Sequence, residues 1–187
     1  MRIITLAGSA RDGSHNQKLA SAAGQTLADL GAEVVDIRLS DFPLPLMDVD
    51  MQNRDGIPEP AMQLGRQVAA ADGLFIASPE YNSSIAPLLK NAIDWVSRIS
   101  EIDGEAVKPW RGRVVALGAA TPGKVGGLRA LPHIRTVCLS VGCLVITEQI
   151  AIGFAARSFD HDGKLIDEGD RTRLAASCQQ LLRFAGA

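Results

Sequence analysis

The chain has 187 residues, 47% of them hydrophobic and 21% charged, proportions of a single globular domain with a core of its own. Its net charge of −2 and 4% aromatic content exclude a basic nucleic-acid surface and a stacking platform for single strands. No apolar run reaches the roughly 20 residues of a membrane span, and three cysteines without a CxxC motif read as reduced thiols of a cytoplasmic protein.

Fully apolar, β-branched runs alternate with segments of helical period. RIITLA (2–7) reads as a strand buried on both faces. Ser14 then caps a helix whose Leu19, Ala23, Leu27 and Leu30 recur at helical spacing, with Gly31 at its C′ position. EVVDIRL is the second strand. The stretch 40–60, with four prolines, is expected to be one long irregular loop. Ala61, Leu64, Val68 and Ala71 mark a helix, GLFIA the third strand, and PLLKNAIDWVSR a helix with Leu89, Ile93 and Val96 on one face. RVVALGA is the fourth strand. It is followed by the loop TPGKVGG and a helix that Pro132 forces to start late or kink. CLVIT is the fifth strand, DHDG a turn, and Leu174, Cys178 and Leu181 line a last helix. MRIITLA is too short and too uncharged for a secretory signal.

Five buried strands joined by helices predict an α/β fold, a parallel sheet covered on both faces with right-handed crossovers. Ligands of such sheets sit beyond the carboxyl ends of the strands where the order reverses. With the order 2-1-3-4-5, loops 8–16 and 78–86 flank that crevice and loop 119–127 stands beside them.

The first loop, GSARDGSHN, matches neither common glycine-rich recipe. Gly13 is followed by Ser14 and His15, not by the lysine and hydroxyl of a P-loop, and Ala10 breaks the G-x-G-x-x-G pattern. It offers instead a helix N-terminus, the hydroxyls of Ser9 and Ser14, the amide of Asn16 and the permanent charge of Arg11. This set suits a phosphate monoester of about −2 that is held and not transferred. In the second loop, Pro79, Glu80, Tyr81 and Asn82 can read the edge of a flat heterocycle. In the third, Thr121, Pro122 and Gly123, with Gly126 and Gly127 beyond, let backbone approach a ligand.

GSxRxxSxN after strand one, PEYN followed by SIAPLLKNAIDW, and TPGxxGGLR after strand four resemble the NADPH-dependent FMN reductase family over about residues 1–155. The resemblance implies a single flavodoxin-like, three-layer domain over 1–187, with FMN as cofactor and NADPH or NADH as hydride donor. It places Ser9, Arg11, Ser14 and Asn16 around the phosphate, with His15 contributing at most its backbone. Pro79, Glu80, Tyr81 and Asn82 would line the isoalloxazine, and Thr121, where several relatives carry serine, and Gly123 would close its other side.

It further implies ping-pong transfer of hydride through flavin N5 to a quinone, a free flavin or a similar small acceptor, with no catalytic acid or base from the protein. Homodimers or homotetramers are also implied, and Trp95, Arg129 and Glu148 lie on segments that assemblies or intrachain packing use equally. A flavodoxin-type electron carrier is the alternative; Arg11 and the modest net charge favour the reductase. A phospho-receiver domain fails, since Gly8-Ser9 and Ser78-Pro79 stand where it needs acidic residues. Asp48, Asp50, His15, His133 and His161 are too scattered for a metal site.

Overall fold

A computed structural model describes residues 1–187. Strands β1 (Arg2–Ala7), β2 (Glu33–Arg38), β3 (Gly73–Ala77), β6 (Val114–Ala120) and β7 (Leu144–Ile152) form a 5-stranded parallel sheet of order β2-β1-β3-β6-β7. This is the predicted architecture.

Side-chain alternation along the strands divides the interior into two cores. Ile4 and Leu6 of β1, Leu74 and Ile76 of β3, and Val115 and Leu117 of β6 point to one face. There they meet Leu64 and Val68 of α3 (Glu59–Ala69), Leu89 and Ile93 of α4 (Pro87–Ser97), and Leu131 and Ile134 of α5 (Ala130–Ser140). Ile3, Phe75 and Ala116 point the other way, onto Leu19 and Leu27 of α1 (His15–Asp29) and Leu174, Cys178 and Leu181 of α6 (Glu168–Ala185). β3 and β6 are buried at every position, which is why their sequences read as unbroken apolar runs.

Helix ends follow the cues in the sequence. The Ser14 hydroxyl accepts from the Asn16 N–H, and Gly31, at φ +89°, closes α1 with paired bonds from Ala32 N–H to Leu27 O and from Gly31 N–H to Ala28 O. Pro132 sets a late start for α5, which begins only at Ala130. It stands in the first turn, where its missing N–H has no helical acceptor to lose.

Two expectations need correction. The stretch 40–60 is not one irregular loop. It contains α2 (Val49–Asp55), capped by Asp48 accepting from the Met51 N–H and ended by Gly56 at φ +81°. No residue of α2 is buried, so the helix leaves no apolar period to read. The rest of the stretch is pinned to α4: Trp95 Nε1–H and Asn91 Nδ2–H both donate to Pro45 O, at 2.7 and 2.9 Å. Trp95 is thereby buried within the chain and does not reach its surface.

A small hairpin, β4 (Glu101–Ile102) and β5 (Glu105–Ala106), turns at Asp103-Gly104 with both residues at positive φ, the geometry of an Asp-Gly two-residue turn. The last sheet strand also runs past CLVIT. Its register jumps from Val115↔Val145 to Leu117↔Gln149, so a bulge interrupts the pairing midway and the apolar pattern with it.

Cys138, Cys143 and Cys178 are all free and buried. Burial pushes the Cys178 thiol up to about 12, and a hydrogen bond with Cys143, followed by burial, raises that of Cys138. A thiolate-selective reagent at pH 8 will label none of the three in the native protein on the timescale of free cysteine. The deficit in rate will exceed about 100-fold, and all three will react after unfolding. A fast-reacting thiol in the native chain would contradict this packing.

Candidate functional site

At the carboxyl edge of the sheet the ladder continues by one residue into the loops. Gly8 N–H donates to Ala77 O at 2.8 Å and Ser78 N–H to Gly118 O at 2.9 Å. The loops after β1 and β3 thus leave the sheet side by side. Gly8 must be glycine here, because a Cβ would stand 2.9 Å from Ser78 Oγ and 3.2 Å from Leu89 Cβ.

Between these loops and the one after β6 lies a cavity of about 390 Å³. Ser9, Arg11, Ser14, His15 and Asn16 line it from the first loop, Pro79, Glu80 and Tyr81 from the second, and Ala120, Thr121 and Pro122 from the third. Asn82 and Gly123, expected at the site, are not among the lining residues, whereas Ala120 and Pro122 are. A cavity of about 480 Å³ elsewhere, beside Lys108, Trp110 and Arg111, includes the C-terminal residues Ser97 and Ser140 of α4 and α5. There the cations complement helix C-termini and mark no anion site.

The first loop presents donors to the cavity. The N–H groups of His15 and Gln17, at the start of α1, donate to no protein acceptor, and the first turn of the helix holds no acidic residue. The Arg11 guanidinium lies over its own loop, donating to Asp12 O and Gly13 O at 3.2 Å each, and it remains exposed. Ser9 Oγ accepts from Arg11 N–H at 3.3 Å.

Asn16 does something else. Its side chain is buried and bonds both backbone groups of Ala120, donating from Nδ2 to O and accepting at Oδ1 from N–H, each at 2.9 Å. It joins the first loop to the end of β6.

Glu80 is equally committed. Its side chain is only 8% exposed, one oxygen receives the Arg129 guanidinium, and the other accepts from Arg129 N–H at 3.1 Å. Chiefly that side-chain bond holds the Glu80 carboxyl below its ordinary range, so it stays ionised as a strut between the second loop and the start of α5. A second tie, Ser84 Oγ to His133 Nδ1 at 2.8 Å, runs parallel to it.

Between these ties the chain makes a two-residue turn. Tyr81 and Ser84 exchange both backbone bonds, and Asn82 and Ser83 take φ of +50° and +65°. Two successive non-glycine residues in the left-handed region cost about 1–3 kcal/mol each and persist only where the surroundings impose them. The turn leaves Tyr81 50% exposed at the cavity mouth.

Two glycines of the third loop, Gly126 and Gly127, approach protein, whereas a Cβ on Gly123 would meet open space. A Cβ on Gly126 would stand 2.7 Å from Gly153 N, and one on Gly127 2.7 Å from Ala119 Cβ. Phe154 N–H donates to Gly123 O and Ala155 N–H to Thr121 O, which fastens the loop against the end of β7.

Removing the Asn16 carboxamide leaves a buried N–H and C=O of Ala120 unpaired, each worth about 1–3 kcal/mol. Asn16→Ala will therefore lower the unfolding free energy by about 2–4 kcal/mol in urea titration. A loss below 0.5 kcal/mol would mean that the two loops do not depend on this bond pair.

A family model for NADPH-dependent FMN reductase matches residues 1–157. A quinone reductase of Escherichia coli (strain K12) is 31% identical over 173 residues, covering 90% of this chain and 87% of that protein. An NAD(P)H-dependent FMN reductase of Pseudomonas aeruginosa is 33% identical over 183 residues, covering 97% and 93%. Among solved structures, the flavoenzyme NAD(P)H:(acceptor) oxidoreductase FerB from Paracoccus denitrificans superposes with a TM-score of 0.81 at 26% identity, covering 99% of this chain and 97% of that one. The motifs on the three loops and the match over most of the chain agree: the chain belongs to the NADPH-dependent FMN reductase family.

Proposed function

We propose that residues 1–187 form one FMN-binding domain of a cytoplasmic, homo-oligomeric NAD(P)H-dependent reductase whose acceptor is a quinone, a free flavin or a similar small molecule. The observation that carries this reading is the charge balance of the cavity. Its cation Arg11, on the first loop, and the start of α1 line it, while its carboxylate, Glu80, is neutralised by Arg129. Such a site attracts an anion and has no acidic group to hold a metal or to accept a substrate proton. The unpartnered Nδ1 of His15 fits a phosphate-bearing ligand as well.

The protein's part is to bind and orient. Arg11, Ser9, Ser14 and the N–H groups of His15 and Gln17 would hold the FMN phosphate by charge and by the helix dipole. Pro79, Glu80, Tyr81 and Thr121 would set the ring, with Glu80 acting through its grip on Arg129. Asn82 and Gly123 would contribute backbone shape, and Asn16 would hold the first loop to β6. Bound FMN supplies the centre that takes hydride from NAD(P)H and delivers it to the acceptor in alternating turns. Half-exposed Tyr81 marks the open side, where nicotinamide and acceptor take the same space in succession. No Ser-His-Asp or HExxH pattern competes with this chemistry.

The first test is the visible spectrum of the purified protein and its steady consumption of NAD(P)H. A colourless protein without affinity for FMN would end the reading, and a flavin-containing one without turnover would favour the electron carrier. Two substitutions then separate phosphate from ring. A charge-assisted contact contributes about 1.5–3 kcal/mol, so Arg11→Ala will weaken FMN binding about 10- to 150-fold while leaving riboflavin unaffected. Glu80→Gln, which loosens the Tyr81–Ser84 turn, will weaken FMN and riboflavin by the same factor. Equal losses for both ligands in Arg11→Ala would remove Arg11 from the phosphate.

A further inference from the structure

His15 is a polar cavity residue whose side chain makes no hydrogen bond within the protein. It stands at the first position of α1, and its Nδ1 is buried without a hydrogen-bond partner. Burial, then Arg11 from the preceding loop and Lys18 from the same helix, keep its pKa below the ordinary value, so the imidazole is neutral at pH 7. Nothing acidic offsets these cations. Across the cavity, Glu80 is occupied by Arg129, and Tyr81, the other titratable group there, is exposed at the mouth.

A phosphate monoester inverts that field. It brings about −2 charges, whereas Arg11 and a helix N-terminus together supply roughly +1.5. Lys18 lies outside the cavity lining. The remaining half-charge falls next to an imidazole that can gain a donor by taking one proton from solvent.

We propose that His15 becomes protonated when the phosphate of FMN enters the cavity, so that cofactor binding is coupled to proton uptake at this side chain. The inference rests on the reading of the cavity as an FMN site and adds to it an ionisable phosphate contact. The coupling has a definite sign. A group protonated more in the bound than in the free state makes binding weaken as pH rises through its bound-state pKa. The phosphate's own second ionisation near pH 6 acts in the opposite direction and is common to any variant.

The experiment is calorimetric titration of flavin-free protein with FMN and with riboflavin, in two buffers of different ionisation enthalpy, for the native chain and His15→Gln. Native protein will take up a fraction of a proton per FMN at pH 7 beyond that of the variant. From pH 6 to pH 8 its FMN affinity will fall about tenfold more than the variant's. Riboflavin will show neither effect.

If the variant does not fold, the titration of the three histidine ring signals in native protein decides. One midpoint must rise on addition of FMN and stay unchanged with riboflavin. Equal proton uptake by both proteins, or no rising midpoint, overturns the role of His15 alone. Failure of both flavins to bind overturns the reading of the cavity as well.

Discussion

The two hydrogen bonds between the Asn16 carboxamide and the Ala120 backbone are the constraint on which the site's geometry depends. They join residues far apart in the chain and fix the start of α1 against the carboxyl end of β6. Since Gly8 and Ser78 already extend the ladder between β1, β3 and β6, the three loops are indexed to one another by backbone geometry. A ligand cradle so built is largely in place before any ligand arrives, which lowers the ordering cost of binding.

Fixing the backbone also decides which side chains remain free. Of the polar groups at the cavity, Asn16 is spent on Ala120 and Glu80 on Arg129. Arg11, His15, the hydroxyls of Ser9, Ser14, Tyr81 and Thr121, and unpaired helix N–H groups remain, and none of them is a carboxylate. The electrostatic sign of the site therefore follows from its scaffolding: the acidic group is removed by the contact that braces the Tyr81–Ser84 turn. One ion pair both braces Tyr81–Ser84 and leaves the cavity positive.

The sequence made the sheet, its order and the three loops legible because buried parallel strands are apolar at every position, as in GLFIA and VVALGAA. It hid α2, which buries nothing, and the true end of β7, where a bulge breaks the pattern. In the site, residue types were readable but their partners were not. PEYN advertises a carboxylate near a ring, yet nothing local tells that Arg129, 49 positions on, will take it. Likewise TPGKVGG suggests backbone near a ligand, whereas Gly126 is small because Gly153 lies against it. Long-range pairing decides between contact and support, and one-dimensional spacing does not record it.

The placement of the cysteines belongs to the same logic. On the proposed reading the enzyme works beside quinones, electrophiles that alkylate thiolates. A flavin site needs no thiol, so any exposed cysteine would only add a site of self-modification. Cys138 and Cys143 meet where α5 ends: Cys143 N–H donates to Cys138 O at 3.0 Å, and Gly142, at φ +88°, turns the chain between them. This helix-end motif brings its flanking apolar side chains together, and here both are cysteines. A hydrogen bond with Cys143, followed by burial, favours the protonated form of Cys138, and burial alone does so for Cys178. Because the thiolate is the reactive species, the packing that completes the two cores also withholds every thiol from the chemistry proposed for the opposite end of β6.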